Sequence, residues 1–251
     1  MTTDDCLVAN DWVCGEYLRE YRSDLTAATL QHLWITAESV AIGLAVALPL
    51  ALAAHRWRRV AAAPVLVVTT VLYTVPSLAM FSLLLPVFGI SSWLVVTGLV
   101  LYSLTILVRN VLAGLDAVPA EVTEAARAMG YGRLRILAAV ELPLALPAIM
   151  AGLRIATVST VALTTVGAIV DYGGLGNLLL SGIGSNFRAQ VLAASVLCVA
   201  IAVLADVLLL GVQWLLTPWR HGRGGPGPGG RLPRRRRGRG RAGGVRTAAA
   251  S

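Results

Sequence analysis

The stretch "EVTEAARAMGYGRLRILAAVELPLALP", residues 121–147, decides how this chain folds, because it places charge in the middle of a sequence that otherwise reads as hydrocarbon. Asp116 is a cap candidate for a helix here. Pro119 suits its first turn, and Glu121 and Glu124 favour the positive N-terminal end of its dipole. Val122, Ala125, Ala126 and Met129 recur at i, i+3, i+4 and i+7, which makes one narrow apolar stripe of small residues. Gly130 is placed to stop the helix, since glycine adopts a left-handed cap without steric cost. A second short helix, "GRLRILAAV", comes next with Arg133 and Arg135 in its first turn, and Pro143 marks its end. Two short helices bent at a glycine form a rigid knob. Taken alone, these residues leave two readings open: a knob that docks in a groove of a soluble partner, or a hairpin lying on a membrane surface.

The rest of the chain supplies the membrane. Of 251 residues, 57% are hydrophobic and 14% charged, with a mean hydropathy of +0.74. Soluble domains carry about 25% charged residues and lack long apolar runs. Windows near 30–54, 60–90, 92–109, 144–170 and 190–216 are long enough to span, at roughly 20 residues per crossing. The 60–90 window holds Pro64, Pro76 and Pro86 and admits one kinked crossing or two short ones. Arginine placement favours the first. With five spans and the N-terminus outside, "HRWRR" (55–59), the stretch from Arg109 to Arg135 and the C-terminal tail all lie in the cytoplasm. The acidic N-terminal segment, "GISSW" and "DYGGLGNLLLSGIGSNFR" then lie outside. Six spans would move "HRWRR" to the outer face.

The net charge of +8 is a property of the tail, which holds ten arginines and no acid from Arg220 onward, whereas residues 1–219 carry −2. This Gly/Pro/Arg tail (217–251) reads as a disordered cytoplasmic segment drawn to anionic lipid. It lacks the interleaved aromatics of a nucleic-acid-binding segment. Residues 1–28 read as a polar extracytoplasmic leader that is not a cleaved signal peptide. No lysine occurs, so a phosphate-binding P-loop is excluded, and any ATP must be hydrolysed by another chain. Cys6, Cys14 and Cys198 and the three histidines show no metal-ligand spacing, and no catalytic constellation appears. Cys6 and Cys14 face an oxidising compartment in this topology and have the option of pairing.

The central stretch resembles the EAA signature of permease subunits of binding-protein-dependent ABC importers. That pattern is E-A-A, three residues, G, nine residues, then I-x-L-P. It is met here by Glu124, Ala125, Ala126, Gly130, Val140, Leu142 and Pro143, with valine for the usual isoleucine. "LQHLWITAESVAIGLAVALPLALAAHR", "LYTVPSLAMFSLLLPVFGI" and residues 141–183 are similar to the glycine betaine, carnitine and choline branch of that family. The resemblance covers about residues 29–216. It implies an all-α polytopic membrane protein with the five-helix core of the type I importer permease fold in a bacterial plasma membrane. The loop at about 116–143 is then the seat of an ATPase subunit. Further implied partners are a second permease copy, identical or a sister chain, and an extracytoplasmic substrate-binding protein. ATP and magnesium belong to the ATPase, and no cofactor is expected on this chain. "VDYGGLG" departs from the branch at Asp171 and Tyr172, where small or apolar residues are usual, and this leaves the exact substrate open.

Three further groups are candidate functional residues. Tyr73, Thr74, Pro76 and Ser77 interrupt the second span with polar and helix-bending groups, either as part of a translocation path or as a plain kink. Asp171, Tyr172, Gly173 and Gly174 belong to an external turn or to a gate. Arg154 and Asp206 each lie roughly 16 Å from the cytoplasmic ends of their helices. They pair there, or else the fourth span starts near Ile149 and Arg154 snorkels to the headgroups. An ATP-independent secondary transporter, the rival class, would have to run on Glu38, Arg154 and Asp206 and would need no docking knob. Another small solute, such as an amino acid, is the alternative substrate.

Overall fold

A computed structural model describes residues 6–218, and every element in that range is helical. The expectations for the arginine-rich tail lie outside the described residues. The centre is α5 (Ser92–Asp116), packed on one side by α2 (Arg22–Arg56) and on the other by α8 (Leu142–Thr164). Leu94, Val95, Leu99 and Val108 of α5 are fully enclosed. The most apolar window of α5 is 72% buried within the chain, against 11% for α10 (Arg188–Leu216), which is the more hydrophobic helix. Hydrophobicity alone therefore does not rank burial here, because lipid is as good a solvent as protein for leucine and valine. What draws helices together is close packing at small residues. A methyl group on Gly152 of α8 would stand 2.3 Å from Cβ of Asn110, and α5 and α8 touch there backbone to side chain.

α2 is 35 residues long, roughly 52 Å at the standard rise. It begins well before the apolar window and projects beyond the hydrocarbon. α3 (Arg58–Thr74) and α4 (Ser77–Phe88) meet at an angle of 100°. The residue before a proline is pushed out of helical conformation, and Val75 is extended at ψ 127° ahead of Pro76. The freed Val75 carbonyl accepts the Tyr102 hydroxyl of α5. The 60–90 window is thus a broken span.

Contacts across the chain fix the number of crossings. Arg58, at the start of α3, donates to Asp116, at the end of α5, over 2.7 Å. Both ends must lie on one face, so the bent pair crosses once. Among the described residues, four helices are long and apolar enough to span, and the bent pair makes the fifth crossing. The six-span alternative would place Arg58 and Asp116 on opposite faces. At the other face, Asn10 donates to the Asn186 carbonyl at 2.8 Å and accepts from the Arg188 amide at 3.0 Å. This ties the N-terminal segment to the turn before α10. Cys6 and Cys14 form a disulfide in that segment, ahead of α1 (Gly15–Glu20), whose Tyr17 stacks with Tyr21 and meets the edge of Phe187.

Several boundaries differ from those expected from the sequence. Asp116 ends α5 and caps nothing, while Pro119 is the N-cap residue of α6 (Ala120–Ala128). The second short helix is only α7 (Arg133–Ile136). The chain then passes through a π-helical turn (Leu137–Glu141) straight into α8. Pro143 therefore ends nothing. It occupies the first turn of α8, where a proline lacks only a hydrogen bond that the widened turn has already released. Beyond α8, a 3-10 turn (Thr165–Val170) leads to Asp171. The glycine-rich stretch is a turn only over 171–174, and from Leu175 it continues as a further helix, α9 (Leu175–Gly184).

Candidate functional site

The knob consists of α6 and α7 hinged at Gly130. Gly130 has φ +84° with nothing within 4 Å of where a Cβ would lie, so its demand is conformational. Its amide donates to the Arg127 carbonyl and the Tyr131 amide donates to the Ala126 carbonyl, which closes the end of α6. Arg135 then stacks 4.3 Å from the Tyr131 ring and sets α7 against the hinge. Ala126 and Ile136 face inward and are buried. Of the signature, Glu124 and Ala125 face out and are exposed, beside Val122, Met129 and Leu134, which are 40%, 69% and 82% exposed. Among the described residues, the Glu124 carboxylate has no hydrogen bond or ion pair within the chain. A free carboxylate beside bare apolar side chains is the chemistry of a surface that awaits a partner. Val140, Leu142 and Pro143 do not contribute to that surface. They are half-buried and join the knob to the root of α8.

A polar cluster with no local mark in the sequence lies at the root of the knob, where the bundle helices end. Besides the Arg58–Asp116 pair, His55 Nδ1 lies 3.3 Å from Asp116 and His55 Nε2 lies 3.7 Å from Glu141. The ends of α2 and α5, the start of α3 and the π turn are gathered at this one histidine. In the sequence, "HRWRR" speaks only through its charge and Asp116 only as a cap. Their common feature, a place at the cytoplasmic ends of successive helices, was the available signal.

The other candidates lie toward the opposite face. Tyr73 and Thr74 end α3 and are exposed, and Pro76 and Ser77 open α4. Tyr73 meets Tyr102 edge-on at 6.1 Å. Asp171 is left-handed at φ 63°. Its carbonyl and the Gly173 amide are both held by the Asn177 side chain at 3.0 Å. Tyr172 packs with Phe81 of α4, Val166 and Val170 in one apolar cluster. The structure therefore joins the helix break and the glycine loop through α4, and it sets both apart from the knob. Gly173 and Gly174 are both buried, Gly173 against Ala168 and Gly174 against α2 at His32. Below His32, Thr36 bonds Thr164 at 3.2 Å and Ser39 is fully enclosed. This polar seam leaves no mark in the sequence, where isolated Thr and Ser in an apolar run look like ordinary span residues.

Arg154 and Asp206 form the pair. Nε donates to Oδ1 at 2.8 Å and Nη2 to Oδ2 at 2.7 Å, a two-pronged contact between α8 and α10. The late start near Ile149 does not occur, since α8 begins at Leu142 and places Arg154 about 18 Å along it. Two opposite charges at this depth neutralise each other, whereas either one alone is an uncompensated ion in hydrocarbon. We expect Asp206→Leu alone to remove most of the assembled permease, and Arg154→Leu with Asp206→Leu to restore much of it. Membrane levels and detergent-extracted thermal stability check this. A single variant that assembles as well as the double would show that the pair contributes nothing.

Residues 40–221 match the family described as "Binding-protein-dependent transport system inner membrane component". Among curated relatives, the osmoprotectant import permease protein OsmW of Salmonella typhimurium is 38% identical over 80% of this chain and 96% of its own length. The glycine betaine/carnitine/choline transport system permease protein OpuCD of Bacillus subtilis is 35% identical over 84% and 92%. A solved structure of the MetNI methionine ABC transporter in an inward-facing conformation superimposes with a TM-score of 0.69 at 22% identity, over 79% of this chain and 98% of that one. At that identity the likeness is one of fold. The chain belongs to this family: it is a multi-pass inner-membrane permease of the ABC importer type, and such permeases work with an ATPase and a substrate-binding protein.

Proposed function

We propose that this permease imports quaternary-ammonium osmoprotectants of the glycine betaine, choline and carnitine kind, and that it receives work through the 120–136 knob. The observation that carries the second half is Glu124: a carboxylate with no partner among the described residues, beside exposed Val122, Met129 and Leu134, on the face shared with Arg58. The substrate class rests on the names of relatives that align over most of both chains. Two permease copies seat on two ATPases, which bind ATP and magnesium, and this chain catalyses no reaction. ATPase closure draws the paired knobs together, and the polar cluster at His55 passes the motion to α2, α3 and α5. The path between the copies then turns outward past the break at Tyr73–Ser77 and the gate loop at Asp171–Gly174. The separate binding protein selects the cation, through aromatic faces suited to a quaternary ammonium.

Competition tests the substrate class. Uptake of labelled choline or glycine betaine through the complete importer should be displaced by the unlabelled quaternary amines and not by methionine. Displacement by an amino acid with no effect of betaines would assign the permease to the other substrate class.

A further inference from the structure

We propose that His32 is a positioning residue that latches the outer gate loop to the bundle and has a second partner ready when the loop leaves. This rests on the reading of Asp171–Gly174 as a gate. His32 is fully enclosed. Its Nδ1 stands 3.3 Å from the Gly173 carbonyl oxygen of the loop, and its Nε2 stands 3.1 Å from the Val161 carbonyl oxygen of α8. Cys198 Sγ of α10 lies 3.9 Å from Nε2. A neutral imidazole has one N–H and one lone pair, so it can donate to only one of the two carbonyls at a time. With the proton on Nδ1 the ring holds the loop, and the Nε2 lone pair accepts the Cys198 thiol. With the proton on Nε2 the ring holds α8 and releases Gly173.

The consequence is energetic. Removing the loop from an ordinary buried donor would leave that donor without a partner, which is far costlier than the net value of the bond it made. Here the ring gives up its Nδ1 proton to water admitted as the loop lifts and takes one from that water on Nε2, where it finds Val161, so release leaves no buried donor without a partner. A gate needs such a release. The fit around the ring keeps the seated state specific: a methyl group on Gly174 would lie 2.7 Å from the His32 backbone nitrogen, so the loop packs directly on α2.

Cys198, the free thiol beside the ring, reports loop release through its labelling by a maleimide in the assembled importer. In the nucleotide-free complex, His32→Leu should label roughly fivefold to tenfold faster than the native chain, the ratio set by loss of one net hydrogen bond. Uptake per ATP hydrolysed should fall by a similar factor. His32→Asn, whose amide nitrogen falls near Nδ1, should restore both. If His32→Leu fails to accumulate, His32→Gln takes its place, since that amide reaches toward Val161. Native-rate labelling in the leucine or glutamine variant overturns the latch, and so does equal labelling of the leucine and asparagine variants, which would make the role one of packing. A native complex that imports while Cys198 labelling is indifferent to ATP also overturns the latch but leaves the importer reading intact. A native complex that does not import sinks the importer reading, and nucleotide-free labelling still decides the latch.

Discussion

Glu124→Lys should lower ATP-coupled uptake at least about tenfold, equivalent to about 1.4 kcal/mol or more of lost coupling, with the amount of permease in the membrane unchanged. The expectation rests on what Glu124 does not do. It is exposed and, among the described residues, its side chain bonds nothing in its own chain, so its replacement breaks no internal hydrogen bond or ion pair. Within the chain the lysine only weakens the charge–dipole balance of α6, worth up to about 1 kcal/mol, and the unchanged membrane level controls for that; the remaining loss comes from outside the chain. A charge that becomes buried at an interface costs roughly 2–5 kcal/mol when its pairing is broken, and reversing its sign adds repulsion. The measurement is ATP hydrolysis and uptake in one preparation, with the yield of intact permease as control. Unchanged uptake would move the coupling surface away from α6.

The second large effect belongs to Gly174. Its φ of 56° with ψ of −118° lies off the left-handed helical well, in a region that side chains avoid at a cost of about 1–3 kcal/mol. The position also has no room, since a Cβ would meet the backbone of His32 at 2.7 Å. Relief requires α2 or the loop to move, and α2 is held by its packing on α5 and α8. The loop must therefore lift. Gly174→Ala should reduce import more than about tenfold while ATP hydrolysis continues, an uncoupled importer with an unseated gate. Import at the native level would show that the loop has slack that the packing at His32 does not suggest.

How much was legible in the sequence depended on whether the signal was local. The glycine hinge at Gly130 was readable, because a helix stop is written within a few residues; the single stripe of Val122, Ala125, Ala126 and Met129 was only partly so, since the bundle buries Ala126 and leaves the other three exposed. The five crossings were readable from arginine placement, and the contact of Arg58 with Asp116 bears them out. The end assigned at Pro143 was not recoverable in this way. A proline after a short helix looks like a terminator, and only the π turn before it lets the helix run on. The roles of His32 and His55 were also out of reach. Each acts through partners far away in sequence, Gly173 and Val161 for one, Asp116 and Glu141 for the other. A lone histidine in an apolar stretch carries no local mark of such partners. The Arg154–Asp206 pair fell between these cases: helix rise put both at one depth, but the facing of α8 toward α10 needed the packed bundle.

If this chain moves solute with work received from a separate ATPase on the face that bears the knob, proteoliposomes containing the permease and its ATPase, with the substrate-loaded binding protein outside and ATP sealed inside, should accumulate labelled quaternary amine. That accumulation should require all three proteins and luminal ATP. Equal accumulation by the permease alone, driven by an imposed ion gradient without ATP, would contradict that coupling.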